Sequence, residues 1–552
     1  MAHSTDTTYA AIDTFRTAED GAVAPSVTRR PYRCDRAGIV RAMTILANGA
    51  PLNIANGIRE FAIASPNSVA VIDGDRALTY RELDERSSRF ARVLATFGLQ
   101  RGDRVAVLLG NRLEYCELAA GIAKAGLCMV PVNPRLTAPE ITYILRHSQT
   151  RALVLDDALA RVAAEAIGEV GIAHVLELGD KYERSLAAAE SSDPRIEIAE
   201  TDAFCIAYTS GTTGNPKGVV ISHRSRALTF YCTALEWGLG PGRRTIAVAP
   251  MYHGAGFAFA YAAVHVGGTV SMMRSWDPEV FLDMCASDRP DTVFLVPTHA
   301  QMLRALGDDV IRSADTSSLR TLYFNAAPMP QELKLWVMDV LPHVELHELY
   351  GSTEAGIMSN LRPADQRRKE RCVGPPWFMT ELRLVGDDGG PVDVGDKGEI
   401  FTRSPFLMNG YHDDPAATQA CTTPDGFMTC GDIGVLDSDG YLYIVDRTKD
   451  LIISGGVNVY PREIEEVLIG HPDVIDVAVV GRPSGQWGEE IVAIIVVRPG
   501  SEIGDDTLEQ HCRAALAGFK VPRSWQRRDV LPRNAAGKIL KRELRDELAA
   551  DV

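Results

Sequence analysis

Residues 204–219 read FCIAYTSGTTGNPKGV, and the order of residue types in this stretch decides what is built around it. The apolar run 204–207 has the length and character of the end of a buried strand. It passes directly into hydroxyl and glycine residues, which offer side-chain OH groups and unblocked backbone NH groups, and Lys217 adds one fixed cation. A loop of that kind suits a polyphosphate. The candidate contacts are Thr209, Ser210, Gly211, Thr212, Thr213, Gly214 and Lys217. The spacing is not that of a Walker loop, because Lys217 is followed by Gly218 and not by Ser or Thr. The bland alternative is a glycine-rich hairpin with no ligand.

Working outward, apolar runs alternate with helical periodicity. Strand-like segments at 104–109, 128–132 and 152–155 are separated by helical patterns at 112–125 and 139–147. A parallel sheet with crossover helices requires that alternation. A second round begins near residue 245 and includes 292–296 and 319–324, which predicts a second, similar layer of sheet. Around 381–401, short strands broken by Gly and Asp turns predict a compact β-rich region. Past residue 449 the pattern restarts, with helices at 462–469 and 507–517 and strands at 474–480 and 490–497. The expected fold class is α/β: a large N-terminal domain of two doubly wound sheet layers plus a small β-rich subdomain, then a small α+β C-terminal domain. The expected boundaries are an N-terminal extension over 1–50, the large domain over 51–447 and the small one over 448–552.

Composition narrows the function. With 46% hydrophobic and 24% charged residues, the 552-residue chain is globular, which excludes a disordered or fibrous protein. Asp and Glu number 73 against 57 Lys and Arg, and a net charge of −16 repels a nucleic-acid backbone. Nucleic acid is therefore excluded as a partner, and any polyanionic small ligand must be met by local cations and backbone amides. The 10 cysteines form no CxxC pair, and the N-terminus lacks the apolar stretch of a secretory signal, so reduced thiols and a cytoplasmic location are expected. Residues 255–273 are the most membrane-like, yet they hold His265, Gly267, Gly268, Thr269 and Ser271. A buried helix followed by a strand is expected there, with no membrane span.

Five further segments stand out: 249–256 (APMYHGAG), 325–329 (NAAPM), 349–356 (LYGSTEAG), 430–434 (CGDIG) with 446–461 (DRTKDLIISGGVNVYP), and 532–540 (PRNAAGKIL). A carboxylate such as Glu354 beside phosphates is useful chiefly as a Mg²⁺ ligand; a helix cap is its bland alternative. Asp432, after a glycine turn, can accept hydrogen bonds from two ribose hydroxyls, and Arg447 can reach the ribose and phosphate. An Asp in a plain β-turn is the competing reading. Lys538, among Arg533, Lys541 and Arg542, would on its own be a solvated lysine, and His253 on its own a core histidine. His343 and His347 have an HxxxH spacing, but a strand holds them too far apart to chelate zinc.

Six such segments in one order, spanning the chain from about residue 52 onward, resemble the adenylate-forming superfamily of acyl-CoA synthetases, peptide-synthetase adenylation domains and firefly-type luciferases. The resemblance implies a two-step reaction with ATP, coenzyme A and Mg²⁺. A carboxylate and ATP give acyl-AMP and pyrophosphate; acyl-AMP and CoA then give acyl-CoA and AMP. It implies that Glu354 holds Mg²⁺ and that Thr353 touches the α-phosphate. Tyr350 would stack on adenine beside Gly351 and Ser352, with Asn325, Ala326, Ala327 and Pro328 at the adenine and acyl pocket. Lys538 would bridge the substrate carboxylate and the α-phosphate, bringing two anions together. His253 would gate the wall between acyl pocket and thiol tunnel. The small domain would rotate about Lys449 between steps, carrying Gly455 and Gly456 towards the pantetheine arm.

Two residues depart from that pattern: Asn325 stands where Gly is common and Cys430 where Thr is common. Gly254, Ala255, Gly256, Ala258 and Ala260 leave room for an apolar acid of aromatic, medium-chain or polycyclic shape. Residues 251–260 contain no Asp or Glu, which argues against an amino acid. The expected enzyme is an AMP-forming carboxylate–CoA ligase. The alternatives are an adenylation enzyme loading a carrier protein, a specialist in thioesterification alone, and a silent nucleotide-binding regulator. Lys217, Glu354, Asp432 and Lys538 together argue against the last.

Overall fold

The computed structural model describes residues 51–209, 216–327, 329–447, 450–454, 457–484, 486–533 and 539–550, without the side chains of Arg447, Asn458, Ala549 and Ala550. Side-chain alternation sets its layers. Along the strand Arg104–Leu108, Val105 and Val107 enter one core while Ala106 and Leu108 enter another. A strand buried on both faces needs a helical layer on each side. This strand is central to a seven-stranded sheet, in the order Gly410–Tyr411, Lys217–Ser222, Ala203–Thr209, Cys128–Val132, Arg104–Leu108, Thr150–Leu155, His174–Glu177. The pairings from Ala203–Thr209 to His174–Glu177 are parallel. Ala203–Thr209 and Lys217–Ser222 are antiparallel, so the chain reverses at the phosphate-loop segment.

Two four-stranded sheets form the second layer. One runs Arg76–Thr79, Val69–Asp73, Thr269–Met272, Arg244–Ala247, and the other Thr292–Leu295, Thr321–Phe324, Glu345–Ser352, Gly356–Leu361. They adjoin where the Asp291 amide donates to the Arg244 carbonyl at 2.9 Å. Between the layers lies a shared core in which Val105 and Val107 of the first sheet meet Val71 and Val270 of the second. The helices Glu114–Lys124 and Gly254–His265 occupy that core. Every residue of Glu114–Lys124 is buried, so its charges need partners. Lys124 meets Asp84 at 2.6 Å, and Glu117 meets Arg86 at 2.5 Å. Gly254–His265 and Thr269–Met272 are the buried helix and strand expected of the apolar run. No helix among the described residues is long and apolar enough to cross a membrane.

Glu381–Val385, Lys397–Arg403, Met428–Leu436 and Leu442–Arg447 form the β-rich region as an antiparallel sheet. The C-terminal unit has its own five-stranded sheet. Along its strand Val474–Ser484, Val477 and Val479 face the helices Pro461–Ile469 and Asp505–Ala515, while Ala478 and Val480 face Lys541–Ala550. The mixed α/β class read from the sequence is the observed one, with element ends displaced by a few residues: 112–125 is the helix Glu114–Lys124 and 474–480 extends to Ser484.

Candidate functional site

The parallel strands Thr292–Leu295, Thr321–Phe324 and Glu345–Ser352 end at one edge, as the register Phe324 opposite Glu348 requires. The carboxyl ends of such strands are where α/β sheets bind ligands. The residues there are partly open: Asn325 and 350–354 are half-buried, and Ala326 and Ala327 are exposed. Ala326 adopts φ 75°, unusual for a residue with a side chain, and the Asn325 Oδ1 accepts from the Ala326 amide at 2.6 Å. Asn325, the residue that departs from a common glycine, therefore spends its side chain on holding this turn.

Glu345–Ser352 continues into Gly356–Leu361 as a hairpin whose turn presents Thr353 and Glu354. A Cβ on Gly351 would fall 2.1 Å from the Gly356 carbonyl oxygen, so the close approach needs glycine. The Tyr411 hydroxyl donates to Glu354 Oε1 at 3.2 Å, and Lys217 Nζ stands 4.9 Å from the centre of the Tyr411 ring. Gly410–Tyr411 pairs with Lys217–Ser222, and the Met408 amide donates to the Glu354 carbonyl at 2.7 Å. One short segment thus ties the phosphate-loop cation to the turn that carries the carboxylate.

The loop is anchored at both ends. Tyr143 donates to the Pro216 carbonyl at 3.1 Å, and His147 Nδ1 lies 2.8 Å from the Tyr208 hydroxyl. Across the site, the Tyr350 hydroxyl donates to Asp432 Oδ2 at 2.6 Å, and Asp432 is buried. Asp432 is backbone-paired with Arg447, and Gly431 before it adopts φ 75°. Ser352 Oγ is 3.0 Å from Cys430 Sγ, a contact that links the second departing residue to the LYGSTEAG turn.

His253 precedes the helix Gly254–His265, and a Cβ on Gly254 would lie 3.7 Å from Thr353. Burial, aided by the charge of Arg135, pushes His253 down to about 4, so its imidazole is neutral at pH 7 and a weak base. That suits a wall residue better than a general base. The five small residues read as room for an acid need correction. A Cβ on Gly256 would meet the Pro250 carbonyl oxygen at 2.1 Å, and Ala258 and Ala260 are buried. Gly256 is small so that two backbone segments can touch. Only Gly254 and Ala255 of the five are partly open, and Ala255 packs against an aromatic cluster of Trp237, Phe259, Phe294, Tyr323 and Trp377.

No three His, Cys, Asp or Glu side chains among the described residues group as a dedicated metal site would. His343 bonds to the Thr316 carbonyl and His347 to Asn360, so neither is drawn into a pair. A single carboxylate such as Glu354 is compatible with Mg²⁺, which takes one or two protein carboxylates and completes its shell with phosphates and water. The proposed contacts Ser210, Gly211, Thr212, Thr213, Gly214, Pro328, Lys449, Gly455, Gly456 and Lys538 lie outside the described residues, as does the extension 1–50.

Residues 58–412 match the family model described as AMP-binding enzyme, and residues 463–538 match the AMP-binding enzyme C-terminal domain. The chain belongs to the AMP-binding enzyme family. Among relatives of this AMP-binding enzyme, a feruloyl-CoA synthase of an Amycolatopsis species is 39% identical over 487 residues, covering 87% of this chain and 96% of the relative. A long-chain-fatty-acid–CoA ligase of Mycobacterium tuberculosis is 34% identical over 511 residues, covering 91% and 99%. The crystal structure of ATP-bound MatB from Rhodopseudomonas palustris superposes with a TM-score of 0.83 at 30% identity, covering 90% and 99%. The AMP-binding enzyme is accordingly an AMP-forming ligase of the adenylate-forming class. The candidate site includes residues the motifs did not single out. Tyr411 and His147 are remote in sequence from what they hold, and only the sheet edge at Gly410–Tyr411 and the packing of His147 on Tyr208 reveal them.

Proposed function

We propose that this AMP-binding enzyme activates an aromatic or similarly compact carboxylic acid as its adenylate and transfers the acyl group to the thiol of coenzyme A. The observation that carries the reading is the convergence of two linked sets, Lys217–Tyr411–Glu354 and Tyr350–Asp432, at the carboxyl ends of the parallel strands. The first set, a cation linked through one tyrosine to a carboxylate, supports binding of a triphosphate with its Mg²⁺. The second offers an aromatic ring beside an acceptor suited to ribose hydroxyls. The closeness of Thr353 to Gly254 supports a role for it between nucleotide and acid.

In the first step a carboxylate oxygen attacks the α-phosphorus and pyrophosphate leaves. Lys538 and Thr353 orient the two anions for that attack. Glu354 would hold Mg²⁺, which when bound neutralises phosphate charge. In the second step the CoA sulfur forms a bond to the acyl carbon, the C–O bond to AMP breaks, and the thiol proton passes to solvent. His253, neutral and half-buried, shapes the passage for the thiol. We assign nucleotide and acid binding to 51–447 and the mobile catalytic unit to 448–552, turning at Lys449 so that Gly455 and Gly456 replace Lys538 at the site.

The aromatic cluster behind Ala255 and the feruloyl-CoA synthase relative support an aromatic acid. The test is acid-dependent formation of AMP, pyrophosphate and acyl-CoA in equal amounts from ATP and a panel of cinnamic, benzoic and medium-chain acids. Lys538→Ala is expected to abolish pyrophosphate formation while leaving thioester formation from a synthetic acyl-adenylate; pyrophosphate release unaffected by that change would overturn the assignment.

A further inference from the structure

Three cations are buried among the described residues: Lys124, Lys334 and Arg226. Two have carboxylates in contact, Lys124 with Asp84 at 2.6 Å and Lys334 with Glu348 at 2.5 Å. Arg226, on the helix His223–Trp237, is 9% exposed and has no carboxylate within ion-pair distance among the described residues. Its Nε finds no acceptor, and its hydrogen bonding there consists of a long 3.4 Å contact from Nη1 to the Gly254 carbonyl. An arginine cannot shed its proton to escape burial, so an unpaired guanidinium in this position is costly.

The carbonyl that Arg226 reaches is a weak, neutral acceptor at the positive end of a helix. Gly254 opens the twelve-residue helix Gly254–His265, whose N-terminus carries unsatisfied amides and the positive end of the helix dipole. The guanidinium and the helix N-terminus are thus neighbours, joined by one long bond to a carbonyl and with no carboxylate among the described residues in ion-pair contact with Arg226. The place is reachable: His253, Gly254 and Ala255 are partly open while 256–265 are buried, and Gly254 sits against Thr353. We propose that Arg226 and the first turn of the helix Gly254–His265 form a subsite for an anionic substituent, in the simplest case a second carboxylate, on the acid being activated.

The proposal rests on the ligase reading and sharpens its substrate class. The reacting carboxylate is a poor partner for Arg226, because it loses its charge on becoming an acyl-adenylate and stays neutral as a thioester. A fixed cation there would stabilise the free acid and be left unpaired in both products. A second carboxylate that does not react keeps its charge through both steps and satisfies Arg226 throughout. The acid then has an aromatic body against the Ala255 cluster and an anionic end at Arg226. Arg226 acts as a specificity-determining residue, not one that touches the reacting atoms.

The test compares 4-carboxycinnamate with 4-methylcinnamate, matched in shape and differing in one charge, using the full-length wild type, Arg226→Met and Arg226→Lys. Wild type is expected to favour the carboxylate-bearing acid in kcat/KM for acyl-CoA formation by about ten- to a hundredfold, the reach of one charge-assisted hydrogen-bonded pair, mostly through KM. Arg226→Met should lose that preference, keep its KM for ATP and melt at a higher temperature than ligand-free wild type, since an unpaired buried charge is gone. Arg226→Lys should keep part of the preference. An unchanged preference in Arg226→Met, an equal loss for both acids and ATP, or a lower melting temperature with selectivity intact would each overturn the proposal. Where wild type converts neither acid, the ligase reading fails for these compounds, and melting shifts still decide the subsite. 4-Carboxycinnamate should then raise the melting temperature of wild type and not of Arg226→Met; equal shifts in both would sink it.

Discussion

Tyr411 joins the two charged residues of the candidate phosphate site, and its two contacts can be removed one at a time. Tyr411→Phe deletes the 3.2 Å hydrogen bond to Glu354 and leaves the ring beneath Lys217. The bond is long and half-exposed, so its loss is worth about 1–1.5 kcal/mol, no more than the low end for a charged acceptor. That corresponds to a fall of about five- to tenfold in kcat/KM for ATP. Tyr411→Leu also removes the aromatic face from Lys217, worth roughly another 0.5–1 kcal/mol at a partly exposed site, for a combined loss of about fifteen- to sixtyfold. The assay is pyrophosphate release at saturating acid with ATP varied, alongside thermal unfolding of each variant. Both variants should melt close to wild type, because Tyr411 is half-buried at a sheet edge. The reasoning fails if Tyr411→Phe and Tyr411→Leu are equally impaired, since the ring would then contribute nothing, or if both keep wild-type kcat/KM for ATP.

Three further outcomes follow from the same geometry. Gly351→Ala forces a Cβ to within 2.1 Å of the Gly356 carbonyl, so the hairpin that presents Thr353 and Glu354 must open; a stability loss of about 1–3 kcal/mol in denaturant unfolding and weaker AMP binding by calorimetry are expected together. Asp84→Ala leaves the fully buried Lys124 with neutral partners alone, the carbonyl of residue 84 and the hydroxyls of Ser87 and Ser88, and should destabilise by about 3 kcal/mol in the same unfolding assay, while Lys124→Met costs much less. His223, His253, His265, His299 and His347 are all held near 4 by burial, below their ordinary 6.5, so the unfolded chain binds more protons than the folded one between those values. Their contribution is complete above about pH 6.5 and is lost as pH falls towards 4, by up to about 1.4 kcal/mol per pH unit for each histidine, which melting curves from pH 7.5 to 5 will record as a steep fall.

The layers were legible because each strand that is buried on both faces reads as a short continuous apolar run, as in 104–109 and 128–132, and these runs are spaced by helical periodicity. The buried helix at Gly254–His265 was legible because polar and glycine residues interrupt an otherwise membrane-like stretch. The site was legible where chemistry is packed into one segment. Tyr350 and Asp432 come from two separately read motifs, and a 2.6 Å bond joins them. What was hidden depends on contacts between distant positions. Tyr411 gains its meaning from an antiparallel pairing with Lys217–Ser222, nearly 200 residues earlier in the chain. Gly256 looks like free volume in sequence, yet the Pro250 carbonyl fills that place. Arg226 lies in the basic run 223–226, HRSR, and only packing shows that it is buried with no carboxylate against it among the described residues.

The central claim is that carboxylate activation proceeds through an adenylate at the site formed by Lys217, Tyr411, Glu354, Tyr350 and Asp432. Acid-dependent exchange of labelled pyrophosphate into ATP, measured without CoA, tests it most directly. The account predicts exchange that needs the acid, falls sharply in Asp432→Ala and Glu354→Gln, and gives way to AMP and acyl-CoA when CoA is added. Exchange that is independent of any acid, or acyl-CoA formation accompanied by ADP and phosphate in place of AMP and pyrophosphate, would contradict it.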